Sequence, residues 1–539
     1  MKATVHERFT SLLPAGDDHP YRTGAWRPQT TEWDASDLDV VGGIPADLAG
    51  VYLRNTENPL IASQGLYHPF DGDGMLHSIA FRDGQASYRN RFVRTLGLAA
   101  EQAAGRALWA GIAERPERAE RSDGWGARGR MKDASSTDVV VQRGIALSSF
   151  YQCGDLYRLD PLTLADLGRE SWSGRFPPEG VSAHAKVDEA TGELLFFNYG
   201  KQAPYMHYGV VSPAGELVHY IDVPLPGPRL PHDMAFTERF AILNDCPLFW
   251  DPAALARGVH ANRFFPDLPT RFAIVPRRGT TEQIRWFEAA PTFVLHWINA
   301  YEEGDEVVLD GFFQHDPAPR LPEGASLHDR LFRFLDIHAL KARPHRWRFD
   351  LRTGQTREEP LSERVMEFGM INARYAGRPY RYAYNVTGVP GAFLFDGLVK
   401  HDLQTGREEH YALGAGVYGS ETVLAPRLGS QGEDDGYLVS FVSDLPNDRS
   451  ECWIFSAQAV GDGPIARVAL PERIASDRPA SCIGTSNSCV PCAEEKVRGL
   501  REISLTSACR VAHQNGPSAY QCSGSSARSL AKWACGSPW

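Results

Sequence analysis

Residues 401–408 read His-Asp-Leu-Gln-Thr-Gly-Arg-Glu, and residues 349–356 repeat the same turn as Phe-Asp-Leu-Arg-Thr-Gly-Gln-Thr. In both, Asp and Thr-Gly separate two short strand-like runs, and glycine or an Asx residue supplies the backbone angles that a hairpin turn requires. Related turns follow Phe81, Val187 and Val211. Recurrent hairpins without a regular alternation of strands and helices predict an all-β fold, either a β-propeller or a large β-sandwich.

Two segments depart from this hairpin pattern. Residues 98–118 have the alanine-rich composition of a helix, and residues 327–342 are amphipathic with helical spacing. Insertions of this kind usually lie on one face of a repeat scaffold, where binding sites are often built. We therefore expect both segments to be helical and to contribute to a binding site.

The composition is that of an acidic globular protein. The 539 residues include 67 Asp and Glu against 56 Lys and Arg, which gives a formal net charge of −11. This balance argues against a nucleic-acid partner, because nucleic acids select basic surfaces. The first residues lack the apolar run of a signal sequence, and no stretch approaches the length of a membrane span, so we expect a cytoplasmic protein with reduced thiols.

Three of the 17 histidines are distinguished by their local sequence. His184, His232 and His296 each lie among apolar residues at or near a predicted strand. Imidazole is a common metal ligand, and the inner ends of propeller strands converge on one axis. The three together fit a metal site, whereas each ring taken alone is more typical of a hydrogen-bonded core histidine.

Two glutamates have similar surroundings. Glu367 and Glu421 are both flanked by apolar residues. A carboxylate in such a place needs a partner, and one common partner is the second N–H of a metal-bound imidazole. A salt bridge or a turn cap explains these glutamates equally well.

Five longer motifs occur in order along the chain: residues 50–60 Gly-Val-Tyr-Leu-Arg-Asn-Thr-Glu-Asn-Pro-Leu, 67–77 Tyr-His-Pro-Phe-Asp-Gly-Asp-Gly-Met-Leu-His, 231–237 Pro-His-Asp-Met-Ala-Phe-Thr, 293–302 Phe-Val-Leu-His-Trp-Ile-Asn-Ala-Tyr-Glu, and 433–440 Glu-Asp-Asp-Gly-Tyr-Leu-Val-Ser. On these motifs, residues 30–470 resemble the carotenoid cleavage oxygenase family. That family also includes stilbene-cleaving dioxygenases of bacteria and fungi and the retinal-pigment-epithelium isomerase. The number and order of the motifs make the resemblance specific.

The resemblance implies a seven-bladed β-propeller with a cap of loops and helices over one face. In the family, four histidines on the propeller axis bind one non-haem Fe(II), and glutamates hydrogen-bond to some of these imidazoles. Carried over motif by motif, three of the iron ligands fall on His184, His232 and His296.

The implied glutamate partners of these imidazoles fall on Glu367 and Glu421. A third family glutamate is replaced here by Gln152. Glutamine still accepts a hydrogen bond from an imidazole N–H, but without a charge it raises the basicity of the ring less.

The implied reaction is oxidative cleavage of a C=C bond by O2 into two carbonyl fragments, with an apolar conjugated alkene as substrate. Lys132 lies where stilbene cleavers resemble one another in using a lysine against a phenolic oxygen, although a surface lysine before a strand explains it as well. The tyrosine that accompanies that lysine is not evident in residues 94–100. We therefore expect an apocarotenoid substrate, with a hydroxystilbene as the alternative. Docking of apolar cap loops on a membrane surface stays open.

The fourth histidine of the family pattern is missing. It is expected near residue 479 or 480, but residues 475–484 read Ala-Ser-Asp-Arg-Pro-Ala-Ser-Cys-Ile-Gly, and the next histidine is His513. Six of the nine cysteines also fall within residues 482–535. Our hypothesis is that the gene is read out of its ancestral frame from about residue 475. This divides the chain into a propeller, residues 1–474, and an atypical Cys- and Ser-rich tail, residues 475–539.

The tail is rich in serine and poor in large apolar residues, a composition that predicts a poorly packed or disordered segment. A zinc site is the alternative explanation. Cys489-Val-Pro-Cys492 has the CxxC spacing of a zinc ligand pair, and His513 follows Cys509 at a tolerable ligand spacing. For the propeller, a set of three histidines allows two outcomes. The chain is an Fe(II) dioxygenase with a weakened metal site, or it is a non-catalytic propeller that binds an apolar ligand or partner.

Overall fold

The computed structural model describes residues 1–61, 66–122, 131–321, 323–326, 329–330 and 333–475. These residues form seven antiparallel sheets of four to six strands, in which each strand mostly pairs with the next one in the sequence. The innermost strands of successive sheets contact one another. This arrangement is a seven-bladed β-propeller, so the predicted fold class is confirmed.

The strands of the first four blades are, in blade 1, β1 (Lys2–Arg8), β2 (Thr31–Ser36), β4 (Gly50–Asn58), β5 (Asp73–Arg82) and β6 (Gln85–Phe92); in blade 2, β7 (Asp138–Gln142), β8 (Ile145–Ser149), β9 (Tyr157–Leu159) and β10 (Asp166–Arg169); in blade 3, β11 (Lys186–Asp188), β12 (Glu193–Tyr199), β13 (Met206–Val211) and β14 (Leu217–Asp222); and in blade 4, β15 (Ala235–Phe236), β16 (Phe240–Asp245), β19 (Thr270–Pro276) and β20 (Arg285–Ala289). A separate hairpin consists of β17 (Leu248–Trp250) and β18 (Asn262–Phe264).

The strands of the last three blades are, in blade 5, β21 (Trp297–Glu303), β22 (Glu306–Gln314), β23 (Ala342–Asp350) and β24 (Thr356–Pro360); in blade 6, β25 (Glu367–Met370), β26 (Tyr382–Gly388), β27 (Phe395–Asp402) and β28 (Arg407–Ala412); and in blade 7, β29 (Val417–Tyr418), β30 (Val423–Pro426), β31 (Gly436–Asp444), β32 (Arg449–Ser456), β33 (Pro464–Ala469) and β3 (Val40–Gly42). Because β3 comes from the start of the chain and pairs with β33 near residue 467, the ring is closed by backbone hydrogen bonds between distant parts of the sequence.

The hairpin turns explain why this sequence folds into blades. Asp83 and Gly84 connect β5 to β6 as a two-residue loop, with φ of 51° and 71°. Positive φ at both central residues is the hairpin geometry that matches the twist of the flanking strands, and Asp-Gly is a preferred pair for it. Gly354 and Gly406, in the two turns quoted first, also adopt positive φ.

The first helical segment is shorter than the sequence predicts. In residues 98–118 the helix α1 (Leu96–Ala104) stops because Gly105 takes a left-handed φ of 66°, and the rest is a loop. In residues 327–342, residues 329–330 are helical and the helix α3 (Ile337–Leu340) ends at Lys341 with φ of 53°. The rest of this prediction includes residues 327–328 and 331–332, which lie outside the described residues. A further helix in the described chain is α2 (Pro252–Leu255), and the short 3₁₀ turns described are Gly24–Trp26, Pro69–Asp71, Pro116–Arg118, Trp172–Gly174, Thr281–Gln283, Ala373–Tyr375 and Val460–Asp462.

Two other expectations concern membrane-spanning segments and the C-terminal tail. None of the helices described here is long and apolar enough to cross a membrane. The expected position of the fourth histidine, the six crowded cysteines and His513 all lie outside the described residues. The out-of-frame tail and its zinc alternative therefore stay predictions.

Candidate active site

The three predicted histidines lie together at the axis of the propeller. His184 precedes β11 by two residues, His232 precedes β15 by three, and His296 directly precedes β21. They thus occupy the amino-terminal ends of the innermost strands of blades 3, 4 and 5. Their side chains are buried, with exposures of 0%, 8% and 2%.

The geometry of these rings fits a metal ion. One nitrogen from each ring lies within 4.8 Å of the others, and the Nε2 atoms of His184 and His232 are 3.1 Å apart. Two nitrogens bound at about 2.1 Å to one ion lie about 3 Å apart when they subtend a right angle. Among the described residues, this is the one group of three or more His, Cys, Asp and Glu side chains that converges closely enough to hold a metal ion.

Glu367 is hydrogen-bonded to one of the three rings. It is the first residue of β25, and its Oε2 accepts a hydrogen bond of 2.8 Å from Nδ1 of His296. The same oxygen accepts the backbone N–H of Phe368 at 2.7 Å. Because the carboxylate holds the proton on Nδ1, the Nε2 lone pair of His296 is available to a metal.

Asp138 makes the equivalent contact with His184, and sequence reasoning missed it. It is the first residue of β7, and its Oδ2 lies 3.0 Å from Nδ1 of His184. The signal was present, because Asp138 precedes a run of three valines and so has the same apolar flank as Glu367. Both carboxylates start an innermost strand, in blades 2 and 6, on either side of the three histidines.

A buried ion pair connects the segments that carry the histidines. The ammonium of Lys186, two residues after His184, lies 2.7 Å from Oδ1 of Asp233, the residue after His232. Oδ2 of Asp233 accepts the backbone N–H of Trp297, the residue after His296, at 2.9 Å. Burial alone would raise the pKa of Asp233, but the charge and hydrogen bond of Lys186 hold it below its ordinary value. One carboxylate therefore links blades 3, 4 and 5 beside the three rings.

Burial favours the neutral, metal-binding form of His184 and His232. Burial lowers the pKa of His184 well below its ordinary value. Burial does the same to the pKa of His232, where the neighbouring imidazoles add to the effect. Burial also raises the pKa of Asp138 well above its usual range, yet a neutral carboxyl keeps an oxygen that accepts the Nδ1 proton of His184.

The other three predicted site residues are Gln152, Glu421 and Lys132, and each lies in different surroundings. Gln152 is buried on the wall of the same cavity as His232, but its Oε1 accepts no hydrogen bond from the described residues. Glu421 is completely buried two residues before β30 in blade 7, and its backbone carbonyl accepts the Tyr52 hydroxyl at 3.0 Å. Lys132 is not a surface residue: its ammonium lies 2.9 Å from both Asp73 and Glu101, with 11% of its side chain exposed.

A cavity of about 490 Å³ reaches His232. Its wall is mainly apolar and aromatic, and His232 lies on it. Ile112 and Ala113 come from the first predicted insertion, and Phe334 and Leu335 from the second, so both insertions contribute to the cavity as expected. A volume of several hundred Å³ with an apolar wall is typical of small-molecule sites. Lys132 is not part of this wall, because it lines a separate pocket of about 30 Å³.

The fold and the site together define a β-propeller with a buried three-histidine centre below an apolar cavity. The family model described as retinal pigment epithelial membrane protein matches residues 26–477. Carotenoid 9,10(9',10')-cleavage dioxygenase 1 of Phaseolus vulgaris is 32% identical over 510 residues, which cover 88% of this chain and 90% of the relative.

Solved structures give the same result. The lignostilbene dioxygenase of Pseudomonas brassicacearum is similar with a TM-score of 0.75 and 28% identity, over 88% of this chain and 99% of its own. Cobalt-substituted Synechocystis ACO has a TM-score of 0.73 and 27% identity, over 84% and 96%. The chain belongs to the carotenoid cleavage oxygenase family, and like its relatives, which are named dioxygenases and oxygenases, it is an oxygenase-type enzyme.

Proposed function

We propose that this chain is an Fe(II)-dependent dioxygenase that cleaves one C=C bond of an apocarotenoid. The observation that carries the proposal is the convergence of three buried imidazoles beside an apolar cavity. In the proposed reaction both atoms of O2 enter the products, one in each carbonyl group. The atoms and electrons balance without an external reductant.

His184, His232 and His296 would hold the iron, each through one ring nitrogen. Fe(II) bound by neutral imidazoles would supply the electrons and the open positions needed to activate O2. Asp138 and Glu367 keep the Nδ1 protons of His184 and His296 in place, so that the rings cannot turn away from their common centre. The Lys186–Asp233 ion pair fixes the spacing of the three segments.

The cavity would orient the alkene and keep water from it. Aromatic side chains such as Phe70, Trp250 and Phe293 offer flat apolar surfaces to a conjugated chain. Excluding water strengthens the electrostatic interactions in the site and prevents side reactions of activated oxygen. The apolar wall therefore supports an apolar, extended substrate.

The position of Lys132 favours the apocarotenoid over the hydroxystilbene. Its ammonium is shared by Asp73 and Glu101, and these carboxylates raise its pKa despite its burial. An ammonium held in this way is not available to a phenolic oxygen in the cavity. A hydroxystilbene stays the alternative substrate, supported by the similarity to a lignostilbene dioxygenase.

The missing family histidine weakens the proposed centre. Loss of a direct ligand costs more metal affinity than the 10- to 100-fold that is typical of losing a hydrogen-bond partner of a ligand. We therefore expect the purified chain to hold less than one iron per molecule and to turn over slowly. The second candidate function is that of a non-catalytic propeller that binds an apolar ligand. The missing histidine supports this candidate as well.

The test combines iron analysis with a spectral assay on an apocarotenal and on a hydroxystilbene. We expect added Fe(II) to increase cleavage of the apocarotenal, with two carbonyl products per alkene. Ligand binding with no products at saturating Fe(II) would favour the non-catalytic candidate. Resequencing the DNA that encodes residues 475–539 tests the frame hypothesis, which fails if no alternative frame encodes a family-like ending with a histidine.

A further inference from the structure

The wall of the 490 Å³ cavity has an unbalanced charge. Two of its described residues are arginines, Arg330 and Arg333, and none is an aspartate or a glutamate. This contrasts with the chain as a whole, in which 67 acidic residues outnumber 56 basic ones. A cavity with charges of one sign and low-dielectric walls concentrates the opposite charge.

These two arginines also differ from most others in the fold. Many buried and half-buried arginines elsewhere are paired with carboxylates, as Arg346 is with Asp310 and Arg277 with Asp188. Within the described chain, neither Arg330 nor Arg333 lies within 4.0 Å of a carboxylate oxygen, although the charge of Asp316 still acts on Arg333.

Arg333 carries a donor that the protein does not use. Its Nε is shielded from solvent and has no hydrogen-bond partner among the described residues. Burial lowers the pKa of this guanidinium, although arginine stays charged in proteins. A buried donor without a partner costs free energy, which a bound acceptor would recover.

The exposed fractions of three side chains on the cavity wall show which lie near its mouth and which near its floor. Arg330 is exposed, Arg333 is half-buried, and His232 is only 8% exposed. The guanidinium groups therefore lie on the solvent side of the proposed reaction centre. A ligand that reaches from the arginines to the histidines has a polar end at the mouth and an apolar body inside.

From this arrangement we infer that the substrate carries a carboxylate at the end far from the cleaved bond, and that Arg330 and Arg333 bind it. The inference rests on the proposed function, because it assigns the cavity to the substrate. The guanidinium forks match the two oxygens of a carboxylate, and charge-assisted hydrogen bonds of this kind are strong. The predicted substrate class is a conjugated alkene acid.

Binding to the purified full-length chain tests the inference without turnover. The probes are two matched pairs: retinoic acid with methyl retinoate, and stilbene-4-carboxylic acid with its methyl ester. Binding of each probe is measured by the quenching of tryptophan fluorescence. We expect one acid to bind about 10- to 100-fold more tightly than its ester, as a charge-assisted pair provides. The pair with the larger ratio identifies the polyene or the stilbene skeleton. Equal affinities of acid and ester in both pairs would overturn the inference.

Variants locate the effect. We expect Arg333→Gln to weaken binding of the acid about tenfold and to leave the ester unchanged, with Arg330→Gln having a smaller effect. Arg333→Lys keeps the charge and should restore part of the affinity. Arg320→Gln is the matched control, because Arg320 is exposed in the same connection between β22 and β23 and does not line the cavity. An equal loss in Arg320→Gln, or a loss for the ester, would contradict the assignment.

Cleavage assays separate this inference from the proposed function. If the chain cleaves alkenes but treats acids and esters alike, the arginine site is wrong and the proposed function stands. If acids bind selectively through Arg333 but no alkene is cleaved at saturating Fe(II), the arginine site stands and the proposed function is wrong. In an active enzyme we expect Arg333→Gln to raise KM for the acid with kcat nearly unchanged.

Discussion

The floor and the mouth of the central cavity are built on different principles. At the floor, the histidines and their partners lie at the ends of the innermost blade strands, are buried, and are held by short contacts such as Glu367 to His296. At the mouth, Arg330 and Arg333 come from an insertion between strands and have no ion pair within the described chain. The scaffold therefore fixes the chemistry, whereas the insertion is free to determine which substrate enters.

The largest expected effect comes from removing an imidazole at the floor. We expect His232→Ala to lower iron affinity by more than about 100-fold, because losing a ligand exceeds the loss of a ligand's partner. Iron content per chain, measured after equilibration with Fe(II), checks this. His207→Gln is the control, because His207 bonds to Asn198 in blade 3 away from the centre. Unchanged iron in His232→Ala would remove His232 from the metal site.

The next effect tests the ion pair that links three blades. Asp233→Asn leaves the ammonium of Lys186 buried without its carboxylate. Breaking such a pair costs about 3–5 kcal/mol of unfolding free energy. We expect that loss in denaturant unfolding, together with weaker iron binding, since the spacing of the histidine segments is no longer fixed.

A double variant provides the control for this pair. Asp233→Leu combined with Lys186→Met removes both charges, and we expect it to destabilise the fold less than Asp233→Asn does. Equal destabilisation by both variants would show that the two charges do not act as a pair.

A smaller effect is expected from Glu367→Gln. The amide oxygen still accepts the Nδ1 proton of His296, but the loss of charge lowers the basicity of the ring. We expect iron affinity to fall about tenfold, the lower end of the range for such partners, while Glu367→Ala falls further. A Glu367→Gln protein with unchanged iron affinity would mean that the hydrogen bond, and not the charge, is what matters.

The smallest effect concerns Lys132, which lies outside the cavity. We expect Lys132→Met to change the preference for a hydroxystilbene over its methoxy analogue by less than about twofold, because its ammonium is bound to Asp73 and Glu101. The ratio of kcat/KM for the two stilbenes is the measurement. A ratio that falls tenfold in the variant would instead assign Lys132 to phenol recognition.

Much of the floor could be predicted from the sequence, and little of the mouth. The turns around Gly354 and Gly406 predicted hairpins because their conformation is local. His184 and Glu367 carried their signal in apolar neighbours, since a polar group there needs a partner. The pairing of Asp138 with His184 joins residues 46 positions apart and depends on the ring of blades.

The arginines carried no such signal. Arg330 and Arg333 lie in a segment that reads as an ordinary amphipathic helix, where arginine is common. Their meaning depends on which cavity they face and on the absence of acidic residues from its described wall. The end of α3 at Lys341, which takes a left-handed φ of 53°, carried no sequence signal either.

The most direct test of the central claim is a titration of the purified full-length chain with Fe(II), in which bound iron and cleaved apocarotenal are measured on the same samples. We predict less than one iron per chain as purified, and cleavage that rises in proportion to iron as the three-histidine centre fills. His232→Ala should show neither response. Full iron occupancy as purified would contradict the weakened centre, and iron uptake without any cleavage would contradict the dioxygenase.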